Sequence, residues 1–115
     1  MDDSLMKLAK VIRSKNAGPF ALTIDILFKN KPIYDSVKEA ELITEQTIAS
    51  LYDIQPDDVL EFVFFDNANA LKITIPRFHP SGSAGERDTY GAQQYVPMLT
   101  VPIPDEFLEK VRAHI

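Results

Sequence analysis

At 115 residues, 45% hydrophobic and 25% charged, the chain has the size and composition of one globular domain. It contains no cysteine, which excludes disulfides, thiolate metal sites, iron–sulfur clusters and a cysteine nucleophile. A formal net charge of −5 argues against nucleic-acid binding, which needs a basic surface, and no apolar run reaches the length of a membrane span.

The first predicted element is a helix over residues 4–14, with Ser4 as its N-cap. Leu5, Leu8, Ala9 and Ile12 fall at i, i+3, i+4 and i+7, the spacing of one apolar helical stripe. Asn16-Ala17-Gly18-Pro19 ends it, because Gly supplies a C-terminal break and Pro cannot continue a helix. Between Ser4 and Ile24 there are Lys7, Lys10, Arg13 and Lys15 and no acid, so this stretch is a positive island on an acidic protein.

Residues 20–28 predict a strand, with Phe20, Leu22, Ile24, Ile26 and Phe28 on one face and Thr23 and Asp25 on the other. Residues 32–40 predict a short helix with Pro32 near its first position. Residues 44–52 predict a second, capped by Thr44 and flanked by Ile43 and Ile48 at the spacing of a hydrophobic staple. Residues 59–66 and 70–76 read as strands joined by an Asp66-Asn67-Ala68-Asn69 hairpin turn. Residues 60–65 are apolar at both parities, which predicts a central strand, whereas Leu71, Ile73 and Ile75 alternate with Lys72 and Thr74 as in a half-buried one. Residues 77–97 show no periodicity and hold three of the four glycines, a pattern expected of a functional loop. Residues 98–104 predict an edge strand, interrupted by Pro102, and residues 105–114 a closing helix. The expected fold is one α+β domain over residues 1–115. It has a single mixed, mainly antiparallel sheet of about four strands packed against about four helices. The amphipathic opening lacks a secretory signal, so the expected location is the cytoplasm.

Two segments carry the candidate chemistry. In the first, Arg13, Ser14, Lys15, Asn16 and Gly18 supply a planar cation, a point charge, neutral donors and a turn whose N–H groups could converge on a carboxylate, phosphate or coenzyme A-like anion. A plain helix C-cap explains Gly18 and Pro19 equally well, and basic residues there complement the helix dipole. The second is the 77–97 loop. Ser81, Gly82, Ser83, Arg87, Asp88, Tyr90, Gln93 and Gln94 could cover a ligand or grip a partner chain. Asp25 and His79 are the candidate bases, with Asp25 in possible reach of Arg13 or Lys72. No metal-ligand spacing occurs, and neither a metal nor a cofactor is expected.

The runs Ile12-Arg-Ser-Lys-Asn-Ala-Gly-Pro-Phe20, Leu22-Thr-Ile-Asp-Ile-Leu-Phe28 and Tyr90-Gly-Ala-Gln-Gln94 resemble a family of small bacterial proteins classed as a domain of unknown function. Its members are found beside, or fused to, proteins of the acyclic terpene utilisation protein A (AtuA) type. Those larger proteins have a domain that opens with an Arg-Ser-Gly-Asp-Lys-Gly turn. Arg13, Ser14 and Gly18 look like the matching positions, and Asn69 like a later Asn; Lys15, Asn16 and Ala17 depart from the pattern. The resemblance implies a small companion subunit or ligand-binding module for an organic-acid or acyl-CoA catabolic enzyme. Its partners would be a larger AtuA-type protein, a second copy of itself, or both, together with an anionic small molecule. Two rival expectations are a stand-alone lyase or hydratase with sites shared between chains, and an oligomeric scaffold or sensor without chemistry.

Overall fold

The structure, a computed structural model, describes residues 5–76 and 95–115. It is built on one four-stranded sheet in the order β1-β2-β4-β3, with β1 at Ala9–Asn16, β2 at Ala21–Phe28, β3 at Glu61–Phe65 and β4 at Ala70–Pro76. Among the described residues all three pairings are antiparallel, where a mixed, mainly antiparallel sheet was expected. Helices α1 (Lys31–Ala40) and α2 (Glu45–Tyr52) link β2 to β3, and α3 (Asp105–Val111) lies near the end of the chain. The fold is therefore α+β, with three α-helices among the described residues where about four were expected.

The missing helix is the first. Leu5–Lys7 is a single 3₁₀ turn, and residues 9–16 are strand. The expected stripe nevertheless faces the core: Leu5, Leu8, Ala9 and Ile12 are all buried. A 3₁₀ turn places i and i+3 on one side, which accounts for Leu5 and Leu8. The β1–β2 register then shifts between Ala9 and Val11, and this bulge leaves Lys10 and Val11 both exposed before Ile12 turns inward. A turn and a bulge together thus reproduce the spacing of a helical stripe, and β-branched Val11 and Ile12 suit the strand.

Strand β2 and helices α1 and α2 form where expected. Leu22, Ile24, Ile26 and Phe28 point into the core, while Phe20 lies outside β2 and is exposed. Asn30 caps α1, its Oδ1 accepting the Ile33 N–H at 3.0 Å, and Pro32 occupies the first turn. Thr44 and Thr47 cap α2 reciprocally, each hydroxyl accepting the other's backbone N–H, at 3.2 and 3.1 Å. Ile43 and Ile48 on either side of that cap are buried.

Two strand assignments need correction. Among the described residues β3 is not central: β4 lies between it and β2, and β3 forms an edge of the sheet. Its two apolar faces are only partly covered, since Phe62 and Phe64 are half-buried and Val63 and Phe65 exposed. Residues 98–104 are no strand. Val96–Thr100 is a 3₁₀ turn, and residues 101–104 are extended without a ladder. Pro97, Pro102 and Pro104 lack the N–H groups a ladder needs, although Met98, Val101 and Ile103 still fill the core.

The sheet has a closed inner face and an outer face. Inner residues of all four strands join Ile33, Tyr34, Val37, Ile48, Phe107 and Val111 in one core. Tyr34 packs against Phe28 and Phe64, with ring centroids 6.1 and 5.9 Å apart, which fixes α1 over the inner face.

Candidate functional site

Register decides which candidate residues meet. Alternation along a strand sends Arg13 and Lys15 to the outer face and Ser14 to the inner one. Across the outer face the pairings give three rows. Lys15, Thr23, Thr74 and Glu61 form the first, Arg13, Asp25, Lys72 and Val63 the second, and Val11, Leu27, Ala70 and Phe65 the third. Four candidate residues, Arg13, Lys15, Asp25 and Lys72, therefore share one surface although they come from three strands.

The charges on that surface alternate in sign. Arg13 Nε lies 3.5 Å from Asp25 Oδ2, and Lys72 Nζ lies 3.5 Å from Glu61 Oε1. Arg13 is 63% exposed and Asp25 only 20%, so the carboxylate is the more sheltered partner and most of the guanidinium side chain stays exposed. Lys15 is exposed and forms no ion pair among the described residues.

Beneath these charges runs a short hydroxyl chain that the sequence reading did not single out. Thr23 and Thr74, cross-strand neighbours, are both buried, with their Oγ1 atoms 3.2 Å apart. Thr74 donates its proton to Glu61 Oε1 at 2.8 Å. A hydroxyl has one proton, so Thr23 must donate to Thr74. The order Thr23 to Thr74 to Glu61, with Lys72 on the same carboxylate oxygen, fixes the centre of the outer face. The signal was present in the alternation of Thr23 and Thr74 with core residues, but only the register could pair them.

The other predicted ligand residues lie elsewhere. Ser14 is buried on the inner face, where its Oγ accepts the Tyr95 N–H at 3.1 Å. Asn16 is half-buried opposite Leu22, at the end of β1. Gly18 sits in the β1–β2 hairpin loop with φ +99°, a conformation that favours Gly, so it shapes that loop and caps no helix. The Ala17 N–H of that turn is used in a 2.9 Å bond to the Ala21 carbonyl. These placements do not support a nest of N–H groups at residues 16–18. Asn69 occupies the opposite end of the sheet with φ 52°, and its carbonyl accepts the Phe28 N–H at 2.9 Å. It shapes the β3–β4 turn.

That turn carries a second polar cluster. Asp66 accepts the Tyr34 hydroxyl proton and a bond from Lys38 Nζ at 3.0 Å. The Tyr34 bond, followed by the bond and charge of Lys38, holds the Asp66 carboxyl below the ordinary carboxylate range. Burial, then the Asp66 bond, pushes the Tyr34 hydroxyl well above the ordinary phenol value. The cluster ties α1 to the turn.

His79, Ser81, Gly82, Ser83, Arg87, Asp88, Tyr90, Gln93 and Gln94 lie outside the described residues. Among the described residues, no group of three or more His, Asp or Glu side chains is placed to hold a metal ion, and no helix is long and apolar enough to cross a membrane. A family model described as a domain of unknown function (DUF4387) matches residues 5–102. No curated protein and no solved structure matches the chain.

Proposed function

The chain belongs to the DUF4387 domain-of-unknown-function family, and we propose that it is a cytoplasmic binding module that works as a small companion subunit in organic-acid or acyl-CoA catabolism. Its ligand is a carboxylate or phosphate, free or carried on a coenzyme A-like molecule. The binding surface is the outer face of the sheet at β1, with Arg13 as the planar fork and Lys15 as the point charge. This narrows the expected contact, the Arg13–Pro19 segment, to Arg13 and Lys15 on the strand. The larger partner is an AtuA-type protein, which the resemblance of the sequence implies.

The observation that carries this reading is the state of Arg13. Asp25 lies 3.5 Å from its Nε, and 63% of the side chain remains exposed beside the exposed Lys15. Two cations two residues apart on one strand face, on a protein of net charge −5, form a local basic surface against the trend of the molecule. An ion pair this exposed contributes only about 0–1 kcal/mol to stability, so folding alone gives little reason for the arrangement. Lys72 and Asp25 set its inner boundary.

Calorimetric titration with succinate, inorganic phosphate and coenzyme A tests the proposal. Binding that weakens about tenfold in Arg13→Ala, an amount equal to about 1.4 kcal/mol, and that falls as salt rises, is the expected result. Equal affinity in wild type and the Arg13→Ala/Lys15→Ala double variant contradicts it. Co-expression with an AtuA-type protein from the same genome tests the partner; separate elution of the two chains contradicts that half of the proposal.

A further inference from the structure

The two edges of the sheet are built differently. Edge β1 carries a bulge at Lys10 and the exposed charges of Lys10, Arg13 and Lys15, which are features that keep an edge strand from pairing with another chain. Edge β3 has neither a bulge nor a basic residue. It reads Glu-Phe-Val-Phe-Phe, without proline or lysine, and its register with β4 is unbroken from Glu61 to Phe65. Its one charged residue, Glu61, is drawn back toward β4 by Thr74 and Lys72. Val63 is 38% exposed, Phe65 46% and the preceding Leu60 60%. Among the described residues β3 pairs with β4 alone, so alternate N–H and C=O groups along it point away from the sheet.

We propose that β3 is a self-pairing edge, and that its occupant is β3 of a second copy of this chain, antiparallel about a two-fold axis at Val63. The strand is self-complementary in that register. Val63 meets Val63 of the second copy, Phe62 meets Phe64, and Glu61 meets Phe65, so no like charges oppose one another. A parallel, in-register pairing would instead stack Glu61 on Glu61. The two-fold also keeps both helical layers on one side of a continuous eight-stranded sheet. On the inner side, a groove of about 290 Å³ lies along this edge, floored by Ile43, Phe62 and Phe64 and rimmed by Lys38 and Glu45. Phe62 and Phe64 already form an edge-to-face pair at 5.7 Å, and the second copy adds two cross-strand aromatic pairs that complete their burial. This accounts for an apolar strand at the rim of the sheet, where the sequence pattern is that of a central one.

Charge reversal at the axis tests the pairing. Val63 is exposed on the outer face, so Val63→Lys and Val63→Glu should leave the fold intact, as circular dichroism melts can verify. In the dimer each variant sets two like charges directly opposite. Sedimentation of the full chain should show a wild-type dimer, about tenfold or more weaker self-association in each variant, and recovery of the dimer on mixing the two. A wild-type chain that stays monomeric to millimolar concentration overturns the proposal. So does a dimer that persists in both variants, or failure of the mixture to restore it.

Discussion

Gly18 is the position where backbone geometry constrains the choice of residue most directly. Its φ of +99° is strained for any side chain, yet an added Cβ would meet nothing within 4 Å. The cost of Gly18→Ala is therefore backbone strain alone, and urea denaturation should show a loss of about 1–2 kcal/mol. The hydroxyl chain makes a different prediction. Thr74→Val leaves the buried Thr23 hydroxyl without its acceptor, so it should cost about 1–3 kcal/mol. Thr23→Val removes only a donor to Thr74 and should cost less. The double variant should cost less than the sum of the two, because it strands no donor; strict additivity would show that the hydroxyls are not coupled. At the β3–β4 turn, the Asp66 carboxyl is depressed in the folded chain by its bonds from Tyr34 and Lys38. A depressed carboxyl stabilises the fold above its unfolded value, and that contribution is lost as pH falls through the folded value. Tyr34→Phe should therefore lower the melting temperature at neutral pH and flatten its fall in the acid range below the ordinary value of 3.8. NMR titration should show the Asp66 carboxyl moving up toward that value. An unchanged Asp66 titration would mean that the Tyr34 bond is not formed in solution.

Among the elements, those with one unbroken period were legible in the sequence. Strand β2 alternates, α1 and α2 carry their own caps, β4 alternates around Lys72 and Thr74, and α3 keeps Phe107 and Val111 inward. Strand β1 was not legible, because its inward residues come from two devices in sequence. The Leu5–Lys7 turn and the bulge at Lys10 sum to helical spacing, and bulges leave no composition signal of their own. Ile12 and Val11 report the burial pattern of this strand, Ile12 inward and Val11 outward. Ile12 is buried at 7% exposure and Val11 is 37% exposed. Ile12→Ala should cost about 2–5 kcal/mol and Val11→Ala about 1 kcal/mol or less, by chemical denaturation. Comparable costs would contradict that pattern. The position of β3 was misread for a related reason: apolar residues at both parities indicate burial on both faces, but a strand at a sheet edge can also gain that burial from another chain. Of the outer-face rows, the sequence suggested only that Asp25 could lie beside Arg13 or Lys72, and it could not fix the alignment. Arg13, Asp25 and Lys72 are far apart in the chain, and only the β1–β2–β4 register aligns them.

For the whole molecule, the sheet divides the labour. Its inner face holds the core and its helical layer, its outer face carries alternating charge over buried threonines, and its two edges differ in kind: β1 basic, β3 apolar. On this account ligand contact and self-pairing use opposite edges of the sheet. The most direct test of the binding surface is an amide ¹H–¹⁵N NMR titration of the full chain with succinate, phosphate and coenzyme A. The account predicts that the signals of Arg13, Lys15, Thr23, Asp25 and Lys72 move together and saturate, and that Arg13→Ala/Lys15→Ala abolishes the movement. Movement centred on residues 16–19, or none up to millimolar ligand, would contradict it.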